Sequence, residues 1–315
     1  MKIIRDINEA KAFTKKSLVV IGNFDGLHLG HRKIITEAQK LAYPNKMGVI
    51  TFEPHPRDYF LKNSKPFKLT TTEKKYALLG ELGVDFVIEL KFDQHLECCT
   101  PEKFVSIILA KNLEIRSVMV GQDFRFGYKR SGDFRKLKEL SREHGINAFA
   151  IELDNFRKNT ISSTRIRKAL EHGEIREAKN MLGYWPQIYG EVIRGDQRGR
   201  ELGFPTVNIE LKEILIPRCG VYSCMIEVLS GRFANLYKGA ASIGKKPTFG
   251  TNEINLEVHI FEFAHEIYGS KVAVSLVNFQ RSEEKFGSLE SLVKQMQLDC
   301  EQARLHLSSF NLSKS

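Results

Sequence analysis

Apolar runs and amphipathic stretches alternate through the first part of the chain. "SLVVIG" (17–22) is a short apolar run, and "HRKIITEAQKLA" (31–42) follows with Ile34, Ile35, Ala38, Leu41 and Ala42 at helical spacing. The pair predicts a strand leading into a helix with one buried face. "KMGVITFEPHP" (46–56) predicts a second strand running into a loop, and "VDFVIEL" (84–90) and "IRSVMVG" (115–121) predict two more. Helices are expected near 72–82 and 101–112, and "STRIRKALEHGEIREAKNMLG" (163–183) closes this part as helices. Alternating strands and helices predict an α/β domain with a parallel sheet. From about residue 186 the pattern changes. "PQIYGEVIRG", "GVYSCMIEVL", "NLYKGAASIG", "INLEVHIFEF" and "KVAVSLVNF" are short β-runs separated by glycine and proline. They predict an antiparallel barrel or sandwich. "SLESLVKQMQLDCEQARLHL" (288–307) predicts a closing helix, with Leu289, Leu292, Val293, Met296 and Ala303 at helical spacing. Two domains are expected, 1–184 and 185–315.

The first strand-to-helix junction reads "GNFDGLHLGH" (22–31). Unpaired N–H groups and the dipole at a helix start favour an anion. Gly22, Gly26 and Gly30 let a ligand approach the backbone. His28 and His31, three apart, share a helix face and can donate hydrogen bonds to a polyphosphate. Asp25 fits either ligand contact or turn formation.

Charge sharpens this reading. The 315 residues carry a net +10, and all of it lies before Trp185: residues 1–184 hold 33 Lys and Arg against 23 Asp and Glu, and the remainder balances. A basic half suits phosphates, nucleotides or nucleic acid. A 42% hydrophobic and 27% charged composition is that of an ordinary globular protein. No apolar run reaches the roughly 20 residues of a membrane helix. The opening "MKIIRDINEAKAF" is charged where a signal peptide would be apolar. Five cysteines with no CxxC spacing argue against disulfides and zinc. A reduced, cytoplasmic protein, monomeric or weakly oligomeric, is expected.

"IGNFDGLHLGH", "TFEPHP" (51–56), "VGQDFRFG" (120–127) and "ISSTRIR" (161–167) together resemble the adenylyltransferase half of bacterial bifunctional riboflavin kinase/FAD synthetases. The first motif is similar to the HxGH signature of nucleotidyltransferases, whose Rossmann-like fold the resemblance implies. It also implies that ATP is held by Gly22, Asn23, Phe24, Asp25, His28 and His31, with Ser163, Thr164 and Arg165 on the phosphates. His28 and His31 would be catalytic. Phe52, Pro54, Asp123, Phe124 and Phe126 would contact the flavin, although one or both of Phe124 and Phe126 fit a core equally well. Arg167 adds further charge, and His55 suits either a ligand contact or a turn.

"GDQRGRELGFPTVNIEL" (195–211) resembles the riboflavin kinase motif, with PTVN where the family usually has PTAN. The later β-runs and the closing helix follow in the family's order. The resemblance implies an all-β kinase barrel with a C-terminal helix. ATP phosphates would lie on Gly195, Gly199, Arg200, Gly203, Pro205, Thr206 and Asn208, the glycines forming a flexible loop. Thr206 and Asn208 would hold Mg²⁺. Glu257 alternates away from Leu256, Val258 and Ile260, and the resemblance makes it the base that deprotonates riboflavin. The expected reactions are phosphorylation of riboflavin to FMN and adenylylation of FMN to FAD with release of pyrophosphate, with ATP as co-substrate of both. "GAASIGKK" (239–246) is a near-match to a P-loop, but Lys246 replaces the magnesium-binding hydroxyl and Pro247 follows, so it reads as a barrel turn. An HxGH motif in a basic α/β half also suits a class I aminoacyl-tRNA synthetase. No KMSKS-like partner or anticodon domain accompanies it, so neither nucleic acid nor membrane is an expected partner.

Overall fold

The computed structural model describes residues 1–61, 65–151, 155–156, 159–195, 198–211, 214–245 and 254–310. The chain forms two compact units, Met1–Lys65 with Thr72–Ser162, and Pro66–Thr71 with Ser163–Ser315.

The first unit is built on six parallel strands, β1 (Lys2–Ile4), β2 (Leu18–Ile21), β3 (Met47–Glu53), β4 (Phe86–Lys91), β5 (Ser117–Gly121) and β6 (Asn147–Ile151), in the order β1-β4-β3-β2-β5-β6. Val19, Val20, Val49, Ile50, Val87 and Val118 are fully buried, as central parallel strands covered on both faces require. The four β-runs expected here are β2 to β5; β1, β6 and the helices Ile7–Thr14 and Phe134–Glu143 complete the unit. Strands β2, β3 and β4 step one way across the sheet and β5 and β6 the other. The order therefore switches between β2 and β5, where open α/β sheets bind ligands beyond their carboxyl ends. The helix Leu29–Ala42 buries Ile34, Ile35, Ala38 and Ala42, whereas Leu41 is 55% exposed. Thr72–Glu81 is a helix as expected, but 101–112 is a short turn, Pro101–Lys103, followed by a π-helix, Phe104–Asn112. Its wider turn, closed by Leu113 N–H donating to the Ile108 carbonyl, buries Phe104, Val105 and Leu109. A small ribbon, β7 (Asn155–Phe156) with β8 (Asn159–Thr160), ends the unit.

In the second unit β9 (Gln187–Ile193), β10 (Val207–Ile209), β11 (Gly220–Val228), β12 (Leu236–Lys245), β13 (Ile254–Ile260) and β14 (Lys271–Arg281) close into an antiparallel barrel, ordered β10-β13-β12-β11-β14-β9. Closure settles barrel over sandwich. Leu256, Val258 and Ile260 point inward and are buried; Glu257 and His259 alternate outward. The C-terminal helix Leu289–His306 lays Cys300 and Ala303, with Leu307 just beyond, on the outer wall against Phe261 and Val277. Leu292, Val293 and Met296 are half-buried, and Leu289 is 63% exposed. Leu41 and Leu289 both sit in a terminal turn, where the apolar period continues but the neighbour no longer covers it. The helices Ser163–His172 and Ile175–Leu182, expected to close the first half, belong to this second unit. Arg218 N–H donates to the Leu170 carbonyl, and Leu215 N–H to that of Lys68. The near-P-loop stretch is strand and not a barrel turn: 239–245 lie in β12, where a Cβ on Gly239 would sit 2.6 Å from the His259 carbonyl. Lys246 and Pro247 lie outside the described residues.

Candidate active sites

In the first unit three motifs gather at the carboxyl ends of β2, β3 and β5. The turn after β2 is tightly wound. Phe24, Gly26 and Leu27 have φ of +53°, +76° and +33°. Holding a non-glycine residue there costs of order 1 kcal/mol, a strain that clusters at functional sites. Thr51, buried on β3, donates its hydroxyl to the Asn23 carbonyl (3.3 Å) and accepts from Lys75 Nζ (3.3 Å). His28 caps the following helix, its Nδ1 accepting the His31 N–H at 3.3 Å. The two imidazoles stack with centroids 3.7 Å apart and planes at 15°, and Phe24 lies 5.2 Å from His31. An accepting Nδ1 places the His28 proton, when neutral, on Nε2. Burial first, and His28 second, hold the His31 pKa well below the ordinary histidine value. Among the described residues, His31 Nδ1 and Asn23 Oδ1 are buried with no hydrogen-bond partner. Buried polar atoms are rarely left unpaired, so these two call for a water or a polar ligand as partner. Asp25 is buried in the same turn, and a Cβ on Gly22 would press on the Phe24 ring at 3.2 Å.

Phe52 ends β3 edge-on to Phe92, and Tyr59 and Phe60 extend the cluster, with Phe60 57% exposed. The sequence reading missed those last three; "DYF" just beyond "TFEPHP" was the available signal. Pro54 is exposed, and His55 caps the helix Pro56–Phe60 through Arg57 N–H. Asp123 is exposed. Phe124 stacks on Phe126 at 5.5 Å, but Phe126 is core, packed on Phe104. The wall expected of two rings therefore narrows to Phe124. Ser163, Thr164 and Arg165 open a helix of the second unit, where Arg165 pairs with Glu177 at 3.1 Å. Arg167, expected only to add charge, donates to the Phe67 carbonyl at 2.8 Å and lies over that ring.

The second unit holds a cavity of about 280 Å³ between the outer barrel wall and the C-terminal helix. Phe204, Thr206, Ser242, Glu257 and His259 line one side, and Arg281, Phe286, Leu292, Met296 and Cys300 the other. Register explains the cluster: Glu257 on β13 lies opposite Asn208 on β10 and Ser242 on β12, so the three side chains share a face. Glu257 Oε2 accepts from the Thr206 hydroxyl at 3.3 Å and Oε1 from Asn255 Nδ2 at 2.9 Å; Asn255 Nδ2 also donates to Asn208 Oδ1 at 2.8 Å. His259 Nδ1–H donates to the Pro205 carbonyl. A hydroxyl, an amide oxygen and a carboxylate form a hard oxygen set that suits Mg²⁺. Gly195 and Gly199 have packing reasons: a Cβ would lie 2.0 Å from Asn208 Nδ2 and 2.4 Å from the Phe204 carbonyl. Gly203 has φ +84°, and Arg198–Glu201 is a short helix, so the described part of the expected flexible loop is ordered by contacts. Arg200 is exposed and faces Glu266 at 3.6 Å. Across the cavity Arg281 makes a two-pronged bridge to Asp299 (2.8 and 2.7 Å), and Asp299 also accepts from Gln295. Burial pushes the Cys300 thiol up to about 11.

Residues 10–165 match the FAD synthetase family model and 182–307 the riboflavin kinase model. Bifunctional riboflavin kinase/FMN adenylyltransferases from Haemophilus influenzae and Escherichia coli K12 are each 36% identical to the chain. They cover 98% and 95% of it, and 100% and 96% of their own lengths are matched. A solved structure described as a macrolide-efflux protein from Streptococcus pneumoniae superimposes with a TM-score of 0.86 at 30% identity, over 96% of this chain and 99% of that one. Among the described residues no helix is long and apolar enough to cross a membrane. Two matched domains in the expected order, and full-length relatives at this identity, place the chain in the bifunctional riboflavin kinase/FMN adenylyltransferase family, which phosphorylates riboflavin to FMN with ATP and adenylylates FMN to FAD.

Proposed function

We propose that the two activities divide between the two halves, adenylylation in residues 1–184 and phosphorylation in 185–315, each at the cluster described above. The observation that carries this is the pairing of two complete polar clusters, one in each unit. One is the histidine turn with its unpartnered buried Asn23 Oδ1 and His31 Nδ1. The other is Glu257 with Thr206 on the cavity wall, joined through Asn255 to the buried Asn208.

In the kinase half Glu257 is the base. Thr206 and Asn255 hold its two oxygens, leaving lone pairs to accept the proton of the riboflavin 5′-hydroxyl as that oxygen attacks the γ-phosphorus of ATP and ADP leaves. Thr206 and Asn208 are the residues that would hold Mg²⁺, which when bound supplies neutralisation of phosphate charge. Leu292, Met296 and Phe286, the apolar part of the cavity's helix side, offer the flavin contact. In the adenylyltransferase half the FMN phosphate attacks the α-phosphorus of ATP and pyrophosphate leaves. His28 and His31 stabilise the negative charge that spreads onto the leaving group, and the β2 turn positions the reacting atoms. Phe52 and Phe124 supply flat surfaces for the flavin ring. Five free thiols accord with a reducing, cytoplasmic setting.

Assays of each step with its own substrate test the division. His28→Ala should abolish FAD formation from FMN and leave FMN formation intact; Glu257→Gln should do the reverse. A folded variant that loses both activities overturns the division.

A further inference from the structure

The side-chain amide of Asn255 is tied to two groups at once. Its Nδ2 lies 2.9 Å from Glu257 Oε1 and 2.8 Å from Asn208 Oδ1. One NH₂ group has two hydrogens, so each acceptor receives its own. The placement follows from register. Asn255 precedes Glu257 by two residues on β13 and shares its outward face, while Asn208 on β10 lies opposite Glu257. A carboxylate and an amide oxygen both present electronegative atoms and would repel if brought together bare. A donor between them fixes their separation and also fixes the Asn208 rotamer, because its amide oxygen must face Asn255. Gly195, with no Cβ, leaves room for that rotamer.

We infer that Asn255 is a positioning residue for riboflavin phosphorylation, a two-hydrogen bridge that sets Glu257 and Asn208 in one fixed geometry. The inference rests on the reading of Glu257 as the base. Asn255 touches neither substrate nor metal in this role. It aims one oxygen of Glu257 away from the reacting hydroxyl, leaving Oε2 directed by Thr206, and it orients the Asn208 oxygen. Its loss therefore acts on turnover more than on flavin binding, which the cavity's apolar side provides.

The test uses the full-length enzyme with FMN formation measured against riboflavin and against Mg²⁺. Asn255→Leu removes both hydrogens at similar volume. Its kcat should fall by about 100-fold, the cost of a misplaced catalytic group, with the KM for riboflavin little changed and half-saturation by Mg²⁺ raised. Asn255→Ser keeps one hydrogen and should recover about tenfold of that loss. FAD formation from supplied FMN should be unchanged in both. A Leu variant with kcat within about twofold of the parent, or a Ser variant no better than Leu, overturns the inference. If the Leu variant does not fold, the Ser variant decides alone: it must lower kcat at unchanged KM, and parental kcat refutes the bridge. Glu257→Gln separates the two levels. Retained turnover there overturns the assignment of the base, whereas a dead Glu257→Gln beside a parental Asn255→Leu overturns only the bridge.

Discussion

His31 carries two features that its neighbours impose, a buried ring nitrogen without a partner and a depressed pKa. Both have consequences for stability. In the unfolded chain this imidazole takes up a proton near pH 6.5. In the folded chain burial and His28 resist it. Below about pH 6.5 the unfolded state therefore binds the extra proton, and stability declines as pH falls from there toward the depressed folded value. Above that window the residue contributes nothing. The denaturation midpoint of the full chain should fall between pH 7 and pH 5.5, and His31→Asn should lessen that fall; an equal fall in both proteins would exclude His31 as its source. The placement of these residues in a wound turn between a strand and a helix was legible in the sequence, because glycines and a histidine pair follow an apolar run there. What escaped was Phe126, whose alternation with Phe124 looked like a wall until the π-helix brought Phe104 against it. Asn255 also escaped, since nothing local distinguishes it from a solvated strand residue.

The C-terminal helix illustrates what periodicity finds and what it misses. Its apolar positions were visible as a face, yet beside that packing a polar contact also fastens it next to the cavity. Arg281 at the end of β14 and Asp299 on the helix are 18% and 7% exposed at their side chains. Removing one partner leaves a mostly buried charge unpaired, at a cost of about 3 kcal/mol. Asp299→Ala should lower the unfolding free energy of the kinase half, read from urea melts, by that amount and weaken riboflavin binding, because Leu292 and Met296 shift with the helix. The double replacement Arg281→Met with Asp299→Leu should recover much of the stability, since no lone charge remains. If the double variant is as unstable as the single one, the pair contributes more than its avoidance of a lone charge. Leu289 makes the complementary point: at helical spacing with the buried face, but in the first turn and outside any cover, its replacement by Gln should change the unfolding free energy by less than about 0.5 kcal/mol.

For the whole molecule, the sequence divided by texture near residue 184, and the fold groups residues 66–71 and 163–184 with the barrel. That grouping depends on hydrogen bonds such as Leu215 to Lys68 and Arg218 to Leu170, made between segments about 150 and 50 residues apart in the chain, and pattern reading has no access to contacts of that range. The barrel closure has the same origin: β10 is three residues long, too short to show a period, yet it pairs with both β9 and β13 and brings Asn208 to Glu257. In the proposed division two separate sites, each sufficient for its own step, act in series through FMN. It is tested most directly by mixing purified His28→Ala and Glu257→Gln enzymes with riboflavin, ATP and Mg²⁺ and following the flavins by chromatography. Each variant alone should stop, the first at FMN and the second at riboflavin, and the mixture should accumulate FAD. A mixture that yields no FAD, from two folded proteins that each retain their own step, would contradict the account.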